Sequence, residues 1–97
     1  MSLETRYLEN VDFDSYEDFS RNFKLNVPEN FNFAYDIIDE YAKNEPDRLA
    51  LAWCDDNGNE KFFTFSDLKY WSDKTANYLT SKGISKGDKV MFILRRR

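Results

Sequence analysis

The sequence contains no histidine and only one cysteine, Cys54. Dyads built on histidine, and zinc sites built on Cys/His spacing, are therefore excluded within this chain. An intramolecular disulfide is excluded as well. Glycine and proline are scarce, three and two among 97 residues, so long elements with few turns are expected. No stretch approaches the ~18 apolar residues of a membrane span, and the opening MSLETRYLEN has no basic stretch followed by an apolar run. These absences give the expectation of a soluble, cytoplasmic protein with no membrane span and a reduced thiol.

What is present is folded material. Leu, Ile, Val and Phe total 24 of 97 residues, above the level at which disorder becomes the default. The net charge of −4 is unevenly spread: residues 1–31 carry three basic and seven acidic side chains, whereas 82–97 carry six basic and one acidic. A basic end can contact phosphate, but the acidic body repels it, so no nucleic-acid partner is assigned.

Periodicity divides the chain. In SYEDFSRNF, Ser15 can cap a short helix near 15–22 with Asp18 at N3, and Phe19 and Phe23 share a face. NFAYDIIDEYAKNEP predicts a helix near 33–44. Its apolar face is Ala34, Ile37, Ile38, Tyr41 and Ala42, and Asp36, Asp39, Glu40 and Lys43 face solvent. Asn32 can cap its start, and Pro46 disfavours helix at Glu45. RLALAWCDDNGNEKFFTF predicts an antiparallel hairpin, 48–54 with 60–65, turning at Asn57-Gly58 with positive φ. Leu49, Leu51 and Trp53 form its large face, and Phe63 and Phe65 share the core side of the return strand. A helix near 66–82 follows, capped by Ser66 and buried along Leu68, Trp71, Thr75 and Leu79, with Gly83 at C′. Last comes KVMFIL, a strand near 89–94 whose continuous apolar run is that of a strand covered on both faces. Strand, helix and strand make a βαβ unit, and the last strand lacks neighbours in this chain.

No constellation on this map carries chemistry. Asp55 and Asp56 are paired carboxylates, but they stand in a hairpin turn, where Asp bonds locally. Asp36, Asp39 and Glu40 read as a solvated helix face, and Cys54 as a small packing residue. Gly83, Gly87 and Asp88 precede a strand, the reverse of a phosphate loop's order, and read as a C-cap and a turn. Arg95, Arg96 and Arg97 are a weak phosphate signal.

The ordered set Pro46, Ala50, Leu51, Thr64, Phe65, Leu68, Leu79, Gly83, Ile84, Gly87, Asp88 and Val90 resembles the N-terminal portion of AMP-forming acyl-CoA synthetases, in the adenylate-forming superfamily. The stretch YEDFSRNFKLNVPENFNFAYD is similar to the acetyl- and medium-chain branch. The resemblance implies an α/β fragment of a larger adenylate-forming domain, with two main helices, a hairpin and a βαβ unit. Residues 1–31 form a polar, aromatic leading segment, and 32–97 the truncated start of the large domain. It implies a parent ligase that activates a carboxylic acid with ATP and magnesium, then transfers the acyl group to coenzyme A. The family's phosphate loop, magnesium ligand, adenine contact and catalytic Lys fall downstream, so no catalytic, cofactor-binding or metal residue is assigned here. The expected partner is the remainder of the parent enzyme, with self-association through strand 90–94 possible. A free-standing interaction module using an exposed strand edge is the alternative.

Overall fold

Proline, capping side chains and one bulge set the element boundaries in the computed structural model, which describes residues 3–95. The chain forms two units, Met1–Asn32 and Phe33–Arg97.

In the first unit, α1 (Leu3–Tyr7) is followed by an isolated antiparallel bridge between Leu8 and Leu25. Helix α2 (Tyr16–Asn22) forms where Ser15 was expected to cap it: the Ser15 hydroxyl accepts the Asp18 amide N–H. The predicted Phe19–Phe23 face is present, with ring centroids 5.0 Å apart, and Phe13 stands edge-on to Phe19 at 5.2 Å. Tyr7 meets Phe31 edge-on at 5.4 Å.

The second unit opens with a π-helical segment, Ala34–Asp39, that continues into α3 (Glu40–Asn44). Asn32 does not stand at its cap. Phe33 does, already helical at φ −55 and ψ −40, and no side chain caps it. At the other end Pro46 acts as expected: Glu45 leaves the helical region, at φ −139 and ψ 63. The π segment also changes which residues face inward. Its i→i+5 bonding turns less per residue than an α-helix, so Asp36, Asp39 and Glu40, which the 3.6 period sends to solvent, are half-buried.

Strands β1 (Leu49–Cys54) and β2 (Glu60–Thr64) pair antiparallel, with Leu51 opposite Phe63 and Trp53 opposite Lys61. The turn differs from a two-residue type. Among the described residues none other than glycine has positive φ, so Asn57 does not, and Gly58 (φ 81) supplies it in this loop. Asp55 and Asn59 are bonded across the loop, and the Gly58 N–H reaches the Asp55 carbonyl at 3.2 Å. This is a three-residue loop closed by a left-handed glycine. An extra β1 residue between Leu49 and Leu51 breaks the alternation, so the expected large face is not continuous. Leu49 and Leu51 are exposed, while Ala50 and Trp53 are half-buried.

Helix α4 (Phe65–Ser81) is capped by Thr64, not Ser66. The Thr64 hydroxyl accepts the Asp67 N–H at 3.2 Å, and the Asp67 carboxylate accepts the Thr64 N–H at 2.9 Å, a complete capping box. Phe65 thus begins a helix and does not end a strand. At the C-terminus Gly83 takes φ 83, its N–H bonds Thr80, and the Ile84 N–H bonds Leu79, the two bonds of a Schellman motif. The inward stripe also differs from expectation. Leu68, Lys69, Ser72, Asp73 and Leu79 are half-buried, whereas Trp71 and Thr75 face out.

The βαβ unit is not completed. The sheet has two strands, and 89–94 carries no strand pairing. A run apolar on both faces gains its stability from cover on both faces, and this cover is missing. Met91, Ile93 and Leu94 are 84%, 88% and 82% exposed. Among the described residues no side chain is fully enclosed.

Candidate functional site

The most organised polar chemistry lies where α3, the 45–48 turn and the start of α4 meet. The Tyr41 and Phe65 rings stack with centroids 4.6 Å apart, and the Arg48 guanidinium carbon is 5.1 Å from the Tyr41 centroid. Two backbone bonds fix the junction: Phe65 N–H to the Arg48 carbonyl and Ser66 N–H to the Pro46 carbonyl, both 3.1 Å. One turn further along α4, the Lys69 ammonium contacts Asp73 at 2.8 Å and Asp39 at 3.5 Å, tying α4 to the π segment. The hydrogen bond to Asp73, with the charges of Asp39 and Asp73, holds Lys69 above the ordinary lysine range, against partial desolvation. The second oxygen of Asp39, Oδ1, is enclosed without a hydrogen-bond partner. This is a structural junction. Asp73 and one oxygen of Asp39 are engaged by one lysine, and no group of three metal-ligating side chains occurs among the described residues.

The residues singled out from sequence separate further. Asp55 accepts from the Asn57 N–H, the Asn59 N–H and the Asn59 side-chain amide at 2.8–3.0 Å, and these bonds, the Asn59 amide first, hold its carboxyl below the usual range. Asp56 is exposed in the same loop, so the pair shapes a turn and no acid/base site forms. Cys54, expected to pack, is exposed at the hairpin end, opposite Glu60. Gly83 is the C′ residue. Asp88 Oδ2 accepts the Ser85 N–H at 2.8 Å, as a local turn requires. Arg95 follows the exposed apolar run, and Arg96 and Arg97 lie outside the described residues. A hollow of about 200 Å³ is lined by Arg6, Asn26, Val27 and Pro28; ligand pockets run to about 300–1,000 Å³.

A phosphate-binding helix start is equally unsupported. The N-terminus of α4 already holds the Asp67 carboxylate in its capping box, which places negative charge where an anion would bind.

The exposed large side chains among the described residues include two ordered rows. One is the apolar run 90–94. The other, which sequence reasoning missed by assigning Trp71 to the core, is the outer face of α4, where Tyr70, Trp71 and Tyr78 are more than half exposed beside Lys74 and Lys82. The signal was available. Tyr70, Lys74, Tyr78 and Lys82 recur every four residues.

No family model matches the chain. Curated proteins do. Over 88 residues the chain is 39% identical to the mitochondrial acyl-coenzyme A synthetase ACSM3 of Rattus norvegicus, covering 84% of this chain. The Homo sapiens ACSM3 is 38% identical over 90 residues, covering 87% of the chain. The mitochondrial acyl-coenzyme A synthetase ACSM4 of Rattus norvegicus is 38% identical over 89 residues, covering 86%. The chain spans 15% of the length of each of these relatives.

Proposed function

Because the chain belongs to the acyl-coenzyme A synthetase family, we propose that it is the N-terminal structural part of a ligase of that kind. The whole enzyme joins a carboxylic acid to AMP at the expense of ATP, releasing pyrophosphate, and the thiol of coenzyme A then displaces AMP. Residues 32–97 begin the large adenylate-forming domain, and 1–31 lead into it.

The observation that carries the proposal is similarity across more than four fifths of this chain but only 15% of each relative. The exposed run 90–94 supports it: five apolar side chains without cover suit a strand whose neighbours belong to the remainder of the enzyme. The contribution of this chain is scaffold. The start of α4 holds the Asp67 carboxylate, so the described residues there do not suit a phosphate. No step of the reaction is routed through them.

The relatives are mitochondrial enzymes, and no described helix is long and apolar enough to cross a membrane. We propose a reducing compartment for the chain, which a sequence with a single cysteine suits; the cytoplasm is one and the mitochondrial interior another.

Replacing the matching segment of rat ACSM3 with this chain tests the proposal. The chimera is expected to form AMP from ATP, a medium-chain carboxylic acid and coenzyme A. A folded chimera without that activity sinks it. The 97-residue chain alone is expected to show no localised, saturable amide shifts when titrated with Mg-ATP.

A further inference from the structure

The outer face of α4 is exposed among the described residues. Tyr70, Lys74, Tyr78 and Lys82 stand at four-residue steps, with Trp71 beside Tyr70, and Leu68, Ser72 and Leu79 face the rest of the unit. Tyr70, Trp71 and Tyr78 are 56%, 55% and 60% exposed. The Lys74 ammonium lies 5.1 Å from the ring centroids of both Tyr70 and Trp71, and the Lys82 ammonium 5.6 Å from that of Tyr78. The carboxylates of the helix are engaged elsewhere: Asp73 with Lys69, and Asp67 with the Thr64 amide. A chain of net charge −4 therefore presents two ammonium groups among three aromatic rings here.

Phenol and indole rings partition to the headgroup level of a bilayer, and a lysine beside them attracts lipid phosphate while its stem covers apolar surface. We propose that this face docks α4 lengthwise on an anionic phospholipid surface. Its 17 residues give a contact of about 26 Å, and the eight-residue step sets the two lysines about 12 Å apart along it. The rings enter the interface and the ammonium groups meet phosphate. The inner face of the helix stays packed on its own unit, so the helix lies on the surface without crossing it.

The experiment is cosedimentation of the 97-residue chain with phosphatidylcholine vesicles, with and without phosphatidylglycerol. Binding is expected only to the anionic vesicles and is expected to weaken with salt. At roughly fivefold per lysine, K74Q/K82Q lowers affinity about 25-fold. K74R/K82R keeps the charge and retains binding, which separates charge loss from misfolding. Quenching of tryptophan emission by brominated lipid is expected to persist in Trp53→Phe and to vanish in Trp71→Phe. Equal binding to neutral vesicles overturns the proposal. So does an equal loss from K86Q/K89Q, quenching carried by Trp53, or capture of the chain by an acidic peptide or a second copy in place of lipid.

Discussion

The Tyr41 ring stacks on the Phe65 ring at 4.6 Å with 24° between their planes, so the last turn of α3 rests on the first residue of α4. No side chain among the described residues is fully enclosed, so half-buried contacts such as this one hold the unit together. Tyr41→Ala and Phe65→Ala each are expected to destabilise the chain. The double-mutant cycle, read by urea unfolding, is expected to give a coupling of about 0.5–1.5 kcal/mol, the worth of an aromatic pair beyond its area. Additive losses mean that the rings act independently and that the backbone bonds at Arg48 and Pro46 fix the junction.

The capping box at α4 separates two neighbouring hydroxyls. Thr64→Ala removes an acceptor for the Asp67 amide and is expected to cost about 1 kcal/mol. Ser66→Ala, inside the helix, is expected to change stability by no more than about 0.5 kcal/mol. Thermal unfolding followed by circular dichroism compares the two. The reverse order means that Ser66 caps the helix after all.

Acid and alkali act on different parts of the chain. Asp18 is held below its ordinary value of 3.8 by the Asp14 N–H and the Asn22 side chain, and Asp55 by Asn59 and Asn57. Depressed carboxylates bind protons less readily in the folded state. Their contribution is therefore complete above 3.8 and is lost as pH falls through each lowered midpoint. Lys69 has the opposite sign. Its raised midpoint means a contribution complete below 10.5 and lost as pH rises through that midpoint. Carboxyl carbon shifts of Asp18 and Asp55 are expected to titrate below 3.8, and Asp55→Asn to shallow the acid limb of the stability curve. Lys69→Met is expected to remove part of the alkaline loss. Asp midpoints at or above 3.8 refute the local hydrogen-bond account.

How much of this was legible in the residues depended on what decides each feature. Ser15, Pro46, Gly58 and Gly83 act through their own backbone neighbours, and the short helix, the end of α3, the hairpin and the Schellman motif follow them closely. Other features depend on longer-range cover or on a register change that no residue type announces. The bulge beside Ala50 broke the large face of β1, and the π segment brought Asp39 round to Lys69. Trp71 was assigned to a core on hydrophobicity, but a ring is buried only when something lies against it. The lysine–aromatic row on α4 is readable as a four-residue repeat, which assigning Trp71 to the inward stripe obscures.

The apolar run 90–94 is the part of the chain with most to gain from a partner. Val90, Met91, Phe92, Ile93 and Leu94 are 43–88% exposed and are assigned to no strand. Full burial of a large apolar side chain is worth roughly 1.5–3 kcal/mol. Five together therefore rival the whole stability of a small domain, about 5–15 kcal/mol. Without the remainder of a larger enzyme to cover it, a second copy is the nearest source of apolar surface and of strand edge. Parallel, in-register pairing sets Arg95 against Arg95, and Arg96 and Arg97 add to the repulsion. Antiparallel pairing places these charges at opposite ends, so a closed dimer is expected and a fibril is not. Sedimentation across a concentration range is expected to show a dimer for the wild-type chain and a monomer for Phe92→Lys. A wild-type chain that stays monomeric, with the amides of 90–94 protected from hydrogen exchange, shows that the run pairs within its own molecule and that the association idea is wrong.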